Sequence, residues 1–272
     1  MLTPVTVIGA VYTASERGLG ADVLAARALG LAPLPVCTSI VVASAGVVTD
    51  VTEVPVDTVL AQLEHVRATA APQGVKIGIL GSPKTAIAVL DAAGRMDVPV
   101  VLDLVTSGPS GETVLSARGI DAVAERLEVA DLVTLSRADA ELVTGGEIAS
   151  LDDAQVAAQR IHNRGAQRVV IRCGTLPYRF YDAADDPGTG AAQALSADLY
   201  YDGEDFALFE APQIGHDPDG ASSVFALAAL AARLDGRDMH EALQQAKRAA
   251  TDAVRHAVEV TGGDRRIALA RD

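Results

Sequence analysis

The sequence predicts an α/β domain whose central, mostly parallel sheet is covered by helices on both faces. Short runs of β-branched and aliphatic residues alternate with longer alanine-rich stretches from Thr6 to Arg172. The best of these runs, Val98–Val105, is apolar at almost every position, as a strand buried on both sides must be. With 272 residues, 49% of them hydrophobic, the chain can close one large core, and no linker divides it.

Taken in order, Thr6–Ile8 opens a first strand, Ala21–Leu29 reads as a helix, and Val36–Val42 is a second strand. Val51–Val54 mixes valine with Thr52 and Glu53 and fits strand or loop equally. Val56–Ala70 carries Val59, Leu60, Leu63 and Val66 at helical spacing. Val75–Leu80 is a strand, and Pro83–Ala93 a helix with proline in its first turn. After the strand Val98–Val105 come a helix over Ile120–Leu127, a short strand Leu132–Leu135 and a helix Ala138–Thr144 stopped by Gly145–Gly146. Asp152–Asn163 is a helix with an acidic residue suited to its N-terminal dipole, followed by the strand Arg168–Arg172.

Beyond Cys173 the rhythm changes. Asp182–Ala194 is polar and reads as a loop, and Leu195–Tyr201 with Phe206–Glu210 forms a hairpin around Asp202–Gly203. Two long helices, Ala221–Leu234 and Asp238–Val260, complete the domain, and a charged tail from Thr261 is expected to fray.

Charge excludes several function classes. A formal net charge of -14 repels phosphate backbones and anionic lipid heads, so no nucleic-acid or membrane partner is expected. No run reaches the roughly 18 apolar residues that a membrane span needs. The opening MLTPVTVIGA lacks a basic stretch and does not read as a signal peptide. The two cysteines, Cys37 and Cys173, lie far apart beside apolar runs, which fits reduced, buried thiols in a cytoplasmic protein.

In an open α/β sheet, ligands bind beyond the carboxyl ends of the strands. After the first strand, Gly9 to Asp22 contains Gly18 and Gly20, whose spacing is not that of a dinucleotide loop; a ligand loop and a plain tight turn both fit. Lys76, one of three lysines in the chain, sits among apolar neighbours and reads first as a sheet-edge or snorkelling lysine, because an interior lysine is costly unless paired. Asp103 closes an apolar strand and is either a crevice carboxylate or a loop anchor. The segment Gly215 to Ser223 runs small residues into a helix start, where exposed N–H groups form an anion site or the serines cap the helix.

In sequence order these segments resemble those of the ribokinase-like vitamin kinases, above all the hydroxymethylpyrimidine/phosphomethylpyrimidine kinases, with pyridoxal kinases as near relatives. The resemblance rests on Val75–Gly81, Pro99–Val105, Ala130–Leu142, Val170–Gly174 and Gly220–Ala226, and extends from about Val7 to about Val258. It implies a three-layer ribokinase-like fold and ATP- and Mg²⁺-dependent phosphorylation of a small hydroxymethyl heterocycle, with the chain dimerising. By position, Gly220, Ala221 and Ser222 form the anion hole, and Ser223 takes the catalytic place, with Asp219 or Asp217 as a stand-in base. Asp103, Ser136, Asp139 and Arg172 serve nucleotide and phosphate, Asp103 and Asp139 doubling as Mg²⁺ ligands. Gly9, Gly18, Gly20, Ser44 and Lys76 face the substrate.

The departures from the family pattern fall on polar positions. Ser223 stands where the family has Cys or Asp, Ser222 replaces a glycine, Ser136 replaces Asn, and Asp139 shortens a Glu. A serine hydroxyl is a poor base unless a neighbour activates it. An alternative reading follows, a pseudokinase that retains the fold for ligand binding or assembly.

Overall fold

The structure, a computed structural model, describes residues 2–13, 15–44, 47–108, 111–176, 195–215, 218–259 and 265–267. Its main sheet has nine strands: β1 (Thr3–Tyr12), β2 (Leu31–Ser44), β3 (Val47–Glu53), β4 (Val75–Ile77), β5 (Val100–Leu104), β6 (Leu132–Ser136), β7 (Val169–Gly174), β8 (Leu195–Tyr201) and β9 (Phe206–Pro212). Their spatial order is β3-β2-β1-β4-β5-β6-β7-β8-β9. The six inner strands from β2 to β7 pair in parallel, while β3, β8 and β9 join antiparallel at the two edges.

The helices are α1 (Leu19–Ala28), α2 (Val56–Ala70), α3 (Pro83–Ala93), α4 (Ala117–Ala124), α5 (Arg137–Thr144), α6 (Leu151–His162), α7 (Ala221–Leu234) and α8 (Met239–Arg255). Helices α2 to α6 pack on one face around Ile77, Leu102 and Leu135. On the other face α1, α7 and α8 pack around Val7, Val101 and Val170. Successive residues of one strand thus feed two separate cores, the three-layer arrangement that near-continuous apolar runs require. Helix α7 is the most enclosed, with every residue from Ser223 to Ala232 buried.

Several boundaries differ from the sequence reading for local reasons. Strand β4 ends at Ile77, because the Thr38 hydroxyl donates to the Ile79 carbonyl at 2.7 Å and Gly81 turns with φ +73°. The open segment around Val51 is strand β3, paired antiparallel to an extended β2. Helix α4 starts three residues early, its first turn capped by Ser116, which accepts from the Gly119 N–H. At α6 the capping residues are Ser150 and Asp153, bonded reciprocally. Helix α8 stops at Arg255, and Val258–Glu259 (β10) instead pairs with Arg265–Arg266 (β11). Residues 265–267 of the tail are therefore held in place; the rest of it, and the loop 182–194, lie outside the described residues. No helix among the described residues is long and apolar enough to cross a membrane.

Strand order reverses between β1 and β4: the chain leaves β1 toward β2 on one side and returns to β4 on the other. A crevice opens at such a switch point. The polar residues gather there.

Candidate active site

Lys76 lies on β4, in the middle of the sheet, and is 2% exposed. The edge or snorkelling reading is therefore wrong: the strand that carries it is flanked by β1 and β5. Its ammonium is instead paired, to Asp22 Oδ1 of α1 at 2.7 Å and to Asp103 Oδ2 of β5 at 3.6 Å. Asp103 also accepts from the Thr134 hydroxyl at 3.0 Å and lies 3.5 Å from the Arg172 guanidinium. Two carboxylates and two cations alternate across four elements. Burial works to lower the Lys76 pKa, but its two carboxylates outweigh that and hold it above the usual lysine range. Burial raises the carboxyl of Asp22, and Lys76 opposes the rise without cancelling it.

Above this cluster sits a cavity of about 90 Å³, lined by Tyr12, Arg17, Gly18, Asp22, Lys76, Asp103 and the α7 residues Gly220, Ser222 and Ser223. Gly220 precedes α7 with φ +95°, and a Cβ there would come within 2.9 Å of Ile267 and 3.1 Å of Ala21. Only glycine lets the α7 N-terminus approach α1 this closely. Its neighbour Ala221 faces the other way, into a larger cavity of about 350 Å³ lined by Ser136, Arg172, Gly174, Phe225, Lys247 and Thr251 among others. In that second cavity Lys247 pairs with Asp198 at 3.1 Å and with the Ser196 hydroxyl at 3.3 Å. The first turn of α7 thus forms the wall between two cavities, and the Asp103–Arg172 pair links them beneath it. Unpaired N–H groups at a helix start, with the positive end of its dipole, suit a phosphoryl group between two such chambers.

The phosphomethylpyrimidine kinase family model matches residues 14–268. The chain belongs to that family. A hydroxymethylpyrimidine/phosphomethylpyrimidine kinase of Aquifex aeolicus is 30% identical over 249 residues, covering 90% of this chain and 92% of the relative. Among solved structures, a pyridoxal kinase from Staphylococcus aureus in complex with pyridoxal superposes with a TM-score of 0.82 at 26% identity, covering 98% and 93% of the two chains. An ADP complex of Bacillus subtilis pyridoxal kinase shares the fold, with a TM-score of 0.84 at 22% identity over 99% and 98% of the chains. The fold is therefore the ribokinase-like one.

Within this family member, most of the predicted residues fall at one of the two cavities. Gly220, Ser222, Ser223, Gly18, Lys76 and Asp103 meet at the smaller cavity, and Ala221, Ser136 and Arg172 line the larger one. Gly9 packs against the Asp22 carboxylate beneath the smaller cavity, 3.6 Å from where its own Cβ would stand. Gly20 does not serve close approach: it is exposed in α1, with nothing within 4 Å of a Cβ placed there. Ser44 closes β2, its backbone opposite Val47 at the far tip of the β2–β3 ribbon.

Asp219 already has two partners. Its oxygens accept from the Ser15 hydroxyl at 3.0 Å and pair with the Arg17 guanidinium, so it latches the loop after β1 over the smaller cavity. The alternative, Asp217, lies outside the described residues.

The two carboxylates assigned to the metal both hold protein partners in the structure. One oxygen of Asp139 accepts from the Thr106 N–H and hydroxyl at 2.8 and 2.7 Å, and the other from Ser136 at 2.5 Å. This carboxylate staples the start of α5 to the loop after β5. Asp103 is already faced by Lys76 and Arg172. Among the described residues no group of three His, Cys, Asp or Glu gathers to hold an ion.

The sequence reading missed Arg17, Asp198, Lys247 and, above all, Asp22 as site residues. One signal for Asp22 was present: Lys76 in an apolar strand required a buried carboxylate.

Proposed function

We propose that the chain transfers the terminal phosphoryl group of ATP to the hydroxyl of a small hydroxymethyl heterocycle of the thiamine or vitamin B6 class. The observation that carries this reading is the division of α7's first turn between two cavities, which suits a donor on one side and an acceptor on the other. The nucleotide occupies the larger cavity, where Arg172 and Lys247 supply positive charge in an otherwise acidic protein. The buried Nε of Arg172 has no hydrogen-bond partner, as expected of a donor awaiting a phosphate oxygen. The acceptor alcohol occupies the smaller cavity beside Ser223. Because phosphoryl transfer depends chiefly on positioning and charge stabilisation, the amides of Gly220 to Ser223 carry most of the work. Mg²⁺ enters as a companion of the nucleotide, and no carboxylate of the chain is assigned to it.

The relatives reported above are all kinases by name, and they lend no support to the pseudokinase alternative. ADP release coupled to a reporter, with hydroxymethylpyrimidine, its monophosphate and pyridoxal as acceptors, tests the proposal. Acceptor-dependent ADP release with at least one of them is expected; release with none would overturn it.

We further read the protein as a cytoplasmic homodimer. Exposed Ile40, Val42 and Val47 on the β2–β3 ribbon support a self-association surface, and the free thiols of Cys37 and Cys173 suit a reducing compartment. A monomer mass by light scattering would end the dimer reading.

A further inference from the structure

Asp22 is fully buried, and only half of its carboxylate is satisfied. Oδ1 accepts from Lys76, whereas Oδ2 has no hydrogen-bond partner. Leaving such an oxygen buried and unpaired costs about 1–3 kcal/mol, so its persistence calls for a reason. Two glycines border Oδ2: a Cβ at Gly9 would stand 3.6 Å from it and one at Gly78 3.8 Å. Asp22 and Ser223 line the same cavity, and the Ser223 hydroxyl favours the ionised form of the carboxylate although no closed hydrogen bond to Oδ2 exists.

Resting on the phosphotransfer reading, we propose that Asp22 is the proton acceptor behind Ser223. The O–H bond of the acceptor alcohol breaks and its proton passes to Ser223 Oγ, while the proton of Ser223 passes to Asp22 Oδ2. The alcohol oxygen bonds to the terminal phosphorus of ATP as the bond from that phosphorus to its bridging oxygen breaks, and ADP leaves. After release of the products, Asp22 returns its proton to solvent through Ser223. The pair supplies what Ser223 lacks by itself, since a hydroxyl needs an adjacent base to accept a proton. Ser223 touches the reacting alcohol; Asp22 acts through it.

The charges around Asp22 suit the task. Lys76 from β4 and Ser223 from α7 favour its ionised form, and Asp103 from β5 opposes it. With burial the largest influence, the carboxyl stands above the ordinary aspartate range, which makes it a stronger base than an exposed aspartate.

The test uses the full chain in two measurements. Carbon-13 NMR of aspartate-labelled protein without nucleotide follows the Asp22 carboxyl, identified by its loss in Asp22→Asn. Ser223→Ala removes a group that favours the ionised form, so the Asp22 titration should move to higher pH; an unmoved titration overturns the proposal. In kinetics, Ser223→Ala and Asp22→Asn should each lower kcat by about 10²–10⁴-fold with ADP affinity retained. The double variant should be no slower than the worse single one, and Asp22→Asn should lose the low-pH limb of kcat. Ser223→Asp, carrying its own base, should restore turnover in the Asp22→Asn background. Ser223→Ala leaves the Asp22–Lys76 pair intact and carries the test should Asp22→Asn not fold. An inactive wild type sinks the phosphotransfer reading and this proposal together, whereas an active wild type with fully active Ser223→Ala sinks this proposal alone.

Discussion

Two lysines stand in two different kinds of buried ion pair, one in each chamber. Lys76 is sealed between Asp22 and Asp103 in the centre of the sheet, with all three side chains 3% exposed or less. Lys247, from α8, meets the single carboxylate of Asp198 and lines a cavity large enough for a nucleotide. The first arrangement is a neutralised strut with one oxygen to spare. The second is a buried cation that lines the larger cavity with one carboxylate beside it. The same residue type thus serves structure and proton chemistry in one place and ligand charge in the other, and what separates the two is the number of carboxylates and the size of the cavity each faces.

The largest effect should come from Lys76→Met, which leaves the buried carboxylate of Asp22 without a cation and Asp103 with Arg172 alone. Denaturant unfolding should show a loss of roughly 3–5 kcal/mol at neutral pH. The sign of the pH dependence follows from the pair. The Lys76 pKa is raised in the folded state, so its contribution is complete below the ordinary lysine range and disappears only as pH climbs through the folded value. In the variant the orphaned Asp22 carboxylate favours protonation, so its deficit against wild type should shrink as pH falls toward the aspartate range. A deficit independent of pH would break the strut description.

Lys247→Met is the matched experiment in the other chamber. It leaves one buried carboxylate, Asp198, at the wall of the larger cavity, and should cost about 1–3 kcal/mol. Burial already pushes the Asp198 carboxyl up against the pull of Lys247. Unlike Lys76→Met, it should weaken ADP binding by calorimetry; equal ADP affinity would mean that the larger cavity is not the nucleotide site.

Ser222→Gly probes the wall between the chambers. Removing the side chain from the smaller cavity should raise turnover several-fold, at a stability cost of about 0.5–1 kcal/mol for glycine within a helix. Slower turnover would show that Ser222 itself contacts a substrate. The smallest effect concerns the thiols. Cys173 is buried and its pKa is pushed up to about 12, chiefly by burial, so iodoacetamide at pH 8 should leave it unmodified in the native protein and label it after unfolding. Half-buried Cys37 should be the only native site of labelling.

The match between reading and structure was uneven for physical reasons. Helices α2, α3 and α7 fall where the sequence placed them, because apolar periodicity and a proline or glycine at the start are local signals. Helix α8 did not, because the residues after Arg255 pair in a short antiparallel hairpin with 265–266, in a charged tail whose composition gave no strand signal. The anion-hole segment was legible through its order within the family pattern. The partners of Asp219 and Asp139 were not, since Arg17 and Thr106 come from loops remote in sequence.

By itself the sequence determined the class of the fold, the alternation that builds it, and the identity of the segments around α7. These follow from spacing and from residue type, which are properties of the linear chain. Only the tertiary structure decided what the charged residues do: that Lys76 is internal, that Asp219 is a latch, that Asp139 is a staple, and that Asp22 keeps one oxygen free beside Ser223. The function of a carboxylate depends on which cation or hydroxyl lies within about 3–4 Å and on whether water can reach it, and both are set by elements far apart in the chain.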